Sequence, residues 1–266
     1  MVRPRRYGSV HVYDEIKSGF HTRTATLSLI PKIRIDSDAG RFLGFIREVS
    51  PCQFRPISSR WLAAVALFAS AGTVAITTYW VYLAIFAAVF IVSFLWLDPD
   101  LARERIRPGG KRPPVTLQLI SDVLVSHWII AGLDHGRFHW SDTVPPWLQW
   151  LSLLALAASY ALCLWAMHVN RFFSSVIRIQ NDRGQVVITT GPYAYIRHPG
   201  YLAGTLVMLA SGVALDSWLA AAFLAICTLP FLFYRAIAED RMLLTQLPGY
   251  RDYTARVRWR LLPGLW

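Results

Sequence analysis

Charge is what this chain has little of. Only 16% of its 266 residues are Asp, Glu, Lys or Arg, against about 25% in soluble domains. Cysteine is also sparse. Cys52, Cys163 and Cys227 lie far apart and form no CxxC pair, which argues against a disulfide framework or a thiolate metal cluster. No signal-peptide pattern opens the chain, because the first apolar run begins only at Trp61. No internal repeat stands out.

What is abundant is apolar surface. Hydrophobic residues make up 55% of the chain and fall in blocks, the pattern of an all-α, multi-pass membrane protein. A helix needs about 20 residues to cross roughly 30 Å of hydrocarbon. Trp61–Leu97 is too long for one pass and reads as a hairpin of two spans turning near Thr77–Tyr79. Val115–Leu133 and Pro146–Val169 read as the third and fourth spans. Tyr201–Leu215 and Trp218–Phe233 read as two short spans turning at Asp216-Ser217.

The net charge of +11 would suggest nucleic acid in a soluble protein. Here the basic residues border the apolar blocks, so topology and lipid headgroups explain them and nucleic acid is not expected. With six spans and both termini in the cytoplasm, 26 of the 27 Lys and Arg face inward and only Arg137 faces out. That is the positive-inside rule. Reading Trp61–Leu97 as one span would turn the five bases of residues 98–114 outward.

Two stretches are not spans. Residues 1–60 read as an N-terminal cytoplasmic extension, either disordered or carrying a short amphipathic helix over Gly40–Ser50. In "VIRIQNDRGQVVITT", the runs Val176–Gln180 and Gln185–Thr190 flank a turn-forming Asn-Asp-Arg-Gly, which predicts a short cytoplasmic β-hairpin. Residues 61–266 then form the membrane domain, with 170–266 as its candidate catalytic core.

Two constellations border the last two spans. The first is "GPYAYIRHPGYLAG", Gly191–Gly204. Pro192 and Pro199 push the residues before them out of the helical region, and Pro199 suits a first helical turn. Arg197 and His198 would then sit beside a helix N-terminus, a place for a carboxylate or phosphate. Gly200 and Gly204 allow close approach on one helix face. A plain interfacial anchor, with Tyr193, Tyr195 and Tyr201 in the aromatic belt, uses the same residues.

The second is "FYRAIAEDRMLLTQLPGYRDY", Phe233–Tyr253. Arg235 and Glu239 are four apart on one helix face. In a chain with only 16 acids, Glu239 and Asp240 fall adjacent at a membrane exit. Tyr250, Tyr253, Arg256, Arg258 and Arg260 follow as a basic, aromatic tail. Asn170 and Arg171 sit at the inner end of the fourth span. His135 and His139 have an i, i+4 spacing, with Asp134 nearby, but in the loop facing the other way, so no metal site is assigned.

This ordered set resembles the membrane methyltransferases related to isoprenylcysteine carboxyl methyltransferase and the phospholipid methyltransferases. The matching positions are Gly191, Tyr193, Arg197, His198, Pro199, Tyr201, Glu239, Asp240, Leu243, Gly249, Tyr253 and Pro263. The likeness is sharp from about Asn170 and looser from Asp98. It departs where Glu239-Asp240 stands for Glu-Glu and where Pro248-Gly249-Tyr250 replaces Phe-Gly-x.

The resemblance implies S-adenosylmethionine as methyl donor. Cofactor contacts are expected from Tyr193, Arg197, His198, Pro199, Tyr201 and Glu239, and catalytic roles from Arg235, Glu239 and Asp240. Acceptor contacts are expected from Asn170, Tyr253 and Arg256. Arg235 would orient a carboxylate acceptor, while an amine acceptor would need a base such as Asp240. The expected partners are membrane lipids and a lipid or lipidated, isoprenoid-type acceptor, with carboxyl O-methylation the leading reaction. A phospholipid amine N-methyltransferase, an NADPH-dependent sterol-type reductase and a non-catalytic membrane protein are the alternatives. The sequence does not specify oligomeric state.

Overall fold

In a computed structural model of the chain, the described residues are 55–110 and 115–266. The expectations for Gly40–Ser50 and for the extension up to residue 54 lie outside them. Eight helices follow in order: α1 (Arg55–Ala71), α2 (Thr77–Trp96), α3 (Pro99–Ile106), α4 (Val115–Leu133), α5 (Pro146–Val169), α6 (Pro199–Ala214), α7 (Trp218–Gln246) and α8 (Tyr250–Arg256). Helix α1 starts within the segment assigned to the N-terminal extension. Among the described residues there is no strand.

Three helices, α2, α5 and α7, are long and apolar enough to cross a membrane, and Leu62–Ala71 and α6 are shorter apolar helices. Their exposed faces are greasy: Ile91, Leu95 and Trp96 on α2, Trp150 and Leu154 on α5, and Ile226 on α7 are all open. Lipid is the medium in which such faces carry no hydrophobic penalty.

The first hairpin turns earlier than the sequence predicts, at Gly72–Ile76 rather than Thr77–Tyr79. Gly72 takes a left-handed φ of 74° and its N–H reaches Phe68 O at 2.9 Å, the usual way a helix ends on glycine. Thr77–Tyr79 instead form the first turn of α2.

The predicted β-hairpin is corrected too. Residues 176–190 form no ladder but a loop around a 3-10 turn at Asn181–Arg183. Side chains take the backbone groups that a ladder would use. Gln180, 1% exposed, donates from Nε2 to Phe172 O at 2.6 Å, and its N–H donates to Gln185 Oε1 at 2.7 Å. The loop is tied to α3 by Arg178 on Glu104 and by Arg183 on Asp100.

Inside the bundle, one polar chain joins α2, α4 and α6. Trp128 Nε1–H donates to Tyr82 OH at 3.0 Å, and Tyr82 lies 2.7 Å from Ser211 Oγ. His127 Nε2 is 2.9 Å from Ser211 Oγ and its Nδ1 is 3.1 Å from Ala220 O. A carbonyl only accepts, so a neutral His127 protonated on Nδ1 lets every group in the chain find a partner. Satisfaction is required in an apolar interior, where an orphaned polar group is costly. Ser211→Ala strands His127 Nε2 and takes from the Tyr82 hydroxyl the acceptor for its proton, leaving it only the bond from Trp128. It should lower unfolding stability by about 1–3 kcal/mol, read as a lower thermal midpoint in detergent, whereas substitution of the exposed Ile226 by Ala should barely move it.

Candidate functional site

The site is built where the lead-in to α6 meets the last turns of α7. Thr190 is extended, Gly191 has a left-handed φ of 58°, and a 3-10 turn follows over Gly191–Ala194. His198 precedes Pro199, the first residue of α6, as the proline pattern predicts. The turn is held from two sides. Asn170 Nδ2 donates to Tyr193 OH at 3.0 Å, and Tyr253 OH donates to Tyr193 O at 2.7 Å. Burial pushes the Tyr193 phenol up and keeps it protonated.

Asp240 is the anchor. Its carboxylate is fully buried and receives five hydrogen bonds. Arg197 Nη1 donates to Oδ1 and Oδ2 at 2.9 and 3.0 Å, and Arg260 Nε donates to Oδ2 at 3.0 Å. Tyr250 OH and His198 Nε2 donate to Oδ1 at 2.8 and 3.2 Å. Burial alone would raise this carboxyl, but the hydrogen bonds from His198, Arg260 and Tyr250 outweigh it and hold it well below the usual carboxylate range. Two backbone bonds close the same junction, from Arg197 N to Trp259 O and from His198 N to Arg260 O, each 2.9 Å.

Glu239, one residue earlier, has a different environment. It accepts from Tyr201 OH at 2.7 Å, and Arg235 Nε in turn donates to that hydroxyl at 3.3 Å. Arg235 and Glu239 do share a helix face, but they meet through Tyr201. Arg235 Nη2 also donates to Ser175 O at 3.0 Å.

These groups line a cavity of about 300 Å³. Asn170, Tyr193, Arg197, His198, Tyr201, Arg235, Glu239 and Tyr253 all face it. Arg256 does not line it and is exposed on α8, while Asp240 and Pro199 lie behind the wall. The Nε of Arg197, buried in that wall, has no hydrogen-bond partner among the described residues. Gly200 lets the Phe173 ring close the wall, since a Cβ there would lie 2.4 Å from the ring.

The sequence reading missed Tyr250 and Arg260, assigned to headgroup contact, and Arg105, assigned to a topological loop. The available signal was the acid itself: a carboxylate in a strongly basic neighbourhood needs nearby donors. At the opposite end, Asp134 is buried and accepts from Ser141 and Ser217. His135 pairs with Asp216 at 3.1 Å and His139 with Asp142 at 2.5 Å. Among the described residues no group of His, Cys, Asp or Glu is placed to hold a metal.

Fold and cavity define an integral membrane protein of helical type, with a polar pocket at one end of an apolar bundle. Residues 150–245 match the model of the isoprenylcysteine carboxyl methyltransferase (ICMT) family. The chain's fold is similar to that of the eukaryotic intramembrane Ras methyltransferase ICMT. The TM-score is 0.58 at 19% identity, over 80% of this chain and 76% of that one.

Two curated relatives are similar over 60% of this chain. The cobalt-zinc-cadmium resistance protein CzcN of Cupriavidus metallidurans is 29% identical over 163 residues, and the nickel-cobalt-cadmium resistance protein NccN of Alcaligenes xylosoxydans xylosoxydans is 31% identical over 162. The matches span 64% and 65% of those relatives' own lengths.

Removing the anchor should be costly. Asp240→Ala leaves Arg197, whose side chain is 8% exposed, as an uncompensated buried cation, and should destabilise by about 3–5 kcal/mol. Asp240→Asn keeps an acceptor oxygen and should cost less. The folded-state pKa lies below the unfolded value of about 3.9, so this stabilisation is complete above about pH 4 and is lost as the pH falls below it. Unfolding followed against pH in detergent should show a shallower acid limb in the Asn variant than in the wild type.

Proposed function

We propose that this chain is an S-adenosylmethionine-dependent membrane methyltransferase. Its acceptor is a lipid or lipidated, isoprenoid-type acid, methylated on the carboxylate at the cytoplasmic face. Six spans with both termini in the cytoplasm accompany this reading. The observation that carries it is convergence. Tyr193, Arg197, His198 and Tyr201 from one segment and Arg235, Glu239 and Tyr253 from another, some forty residues later, share one cavity wall.

The wall fits the donor's chemistry. The unpartnered Arg197 Nε–H suits an amino-acid carboxylate. Glu239, with Tyr201 as its one hydrogen-bond partner among the described residues, suits an ammonium or a ribose diol. The tyrosine rings suit adenine and a sulfonium. When bound, the donor supplies an electrophilic methyl group. The protein's part is to hold, align and exclude water.

A carboxylate acceptor is already ionised near pH 7 and needs no base. An amine acceptor does, and Asp240 has no lone pair to spare for a proton, since four donors fill it with five hydrogen bonds. Asp240 is therefore read as a positioning residue that fixes Arg197 and His198, and the geometry favours the carboxylate over the amine. Arg235, steadied by Tyr201 and Ser175 O, is the residue read as orienting the acceptor.

Calorimetry on the detergent-purified chain should show S-adenosylmethionine binding. Glu239→Ala should weaken it by roughly tenfold or more, the value of one hydrogen bond to a charged group, and His198→Ala should weaken it through loss of positioning. Retention of NADPH rather than S-adenosylmethionine by the same preparation would instead favour the reductase reading.

A further inference from the structure

Arg105 on α3 is a cation facing the cavity without an anion. Its guanidinium lies 5.1 Å from the centre of the Phe173 ring. Among the described residues it has no ion pair and no side-chain hydrogen bond. Its neighbour Glu104 cannot serve as counter-ion, because its carboxylate is full. Arg178 takes Oε1 and Oε2 at 3.0 and 2.9 Å, Ser174 Oγ takes Oε1 at 2.9 Å, and Gly109 N–H takes Oε2 at 3.1 Å. Burial pushes the Arg105 guanidinium down from its ordinary value, as expected for a desolvated cation.

Its position is set by the same elements that set the site. Ser175 Oγ donates to Arg105 O at 3.0 Å, and Ser175 O accepts from Arg235, so one residue ties both arginines. Phe173, under the guanidinium, packs on Gly200, and Leu232 lies on the same α6 face, 3.8 Å from where a Cβ on Gly204 would sit. The wall beyond is apolar: Ile120 of α4, Cys163 of α5, and Phe231 and Leu232 of α7. A half-buried cation with no anion among the described residues, beside a greasy wall, matches one ligand chemistry, an anionic head on an apolar tail.

We propose that Arg105 is a specificity-determining residue that captures the acceptor's carboxylate alongside Arg235, which orients it, with the acceptor's tail against Ile120, Phe231 and Leu232. This rests on the methyl-transfer reading above. In the step, a carboxylate oxygen supplies the electron pair for the new O–CH₃ bond, and the S–CH₃ bond breaks with its pair going to sulfur. No proton moves. The acid becomes a neutral ester, which has no charge for Arg105 to hold, so the same cation that captures the substrate lets the product go.

The test compares an S-farnesylated mercaptopropionic acid with its methyl ester. Binding of each is measured on the full chain in detergent, alongside S-adenosylmethionine binding and the thermal midpoint. The wild type should prefer acid to ester by roughly tenfold or more. Arg105→Gln should abolish that preference while donor affinity and midpoint hold, and Arg105→Lys should recover part of it. The inference is overturned if a wild type that binds donor does not distinguish acid from ester. It is also overturned if Arg105→Gln keeps the preference, or loses it only together with donor binding. Failure of the wild type to bind donor removes the methyl-transfer reading and this role together.

Discussion

A single buried carboxylate holds this structure's working end together. Burying an ion costs several kcal/mol unless charge and hydrogen bonds compensate it. Asp240 is compensated from three directions: by Arg197 and His198 before α6, by Tyr250 of α8, and by Arg260 near the C-terminus. Each direction is a different segment, so none of these segments can shift without weakening that compensation. The ordered lead-in to α6, the packing of Tyr253 on Tyr193 and the closing backbone bonds at Trp259 and Arg260 all depend on that junction.

The adjacent acid shows how environment divides labour. Successive residues on a helix point about 100° apart, so Glu239 and Asp240 cannot share surroundings. Asp240 turns into the junction and is saturated. Glu239 turns to the cavity, where it accepts from Tyr201. Departure from an acidic pair of two glutamates falls on the residue that does the holding. The shorter side chain there accepts five hydrogen bonds from four donors.

The membrane imposes the complementary constraint. An apolar bundle tolerates polar groups only when they satisfy one another, and the Trp128–Tyr82–Ser211–His127 chain does so. At the motif end, the loop after α5 and helix α3 are bound by Glu104 with Arg178 and Asp100 with Arg183. Using Glu104 in that way leaves Arg105 without an ion pair among the described residues at the cavity.

Apolar helices, the proline-shaped entry to α6 and the position of the two acids were legible in the chain alone. Each follows from local rules: length against bilayer thickness, the φ limit of proline and the helical period. The first turn was misplaced by a few residues because Gly72, not Thr77, supplies the left-handed backbone. The loop at 176–190 looked like a hairpin because β-branched residues and Asn-Asp-Arg-Gly favour one. Gln180, Arg178 and Arg183 found partners on α3 and near α5 instead, and no local propensity encodes those. The partners of Asp240 lie 43, 42, 10 and 20 residues away. Sequence thus determined which segments form apolar helices and which residue types border them. Tertiary packing alone decided which acid is locked, which faces the cavity and which arginine lacks a hydrogen-bonded side-chain partner among the described residues, because a side chain's charge compensation is set by what the fold brings within about 3 Å.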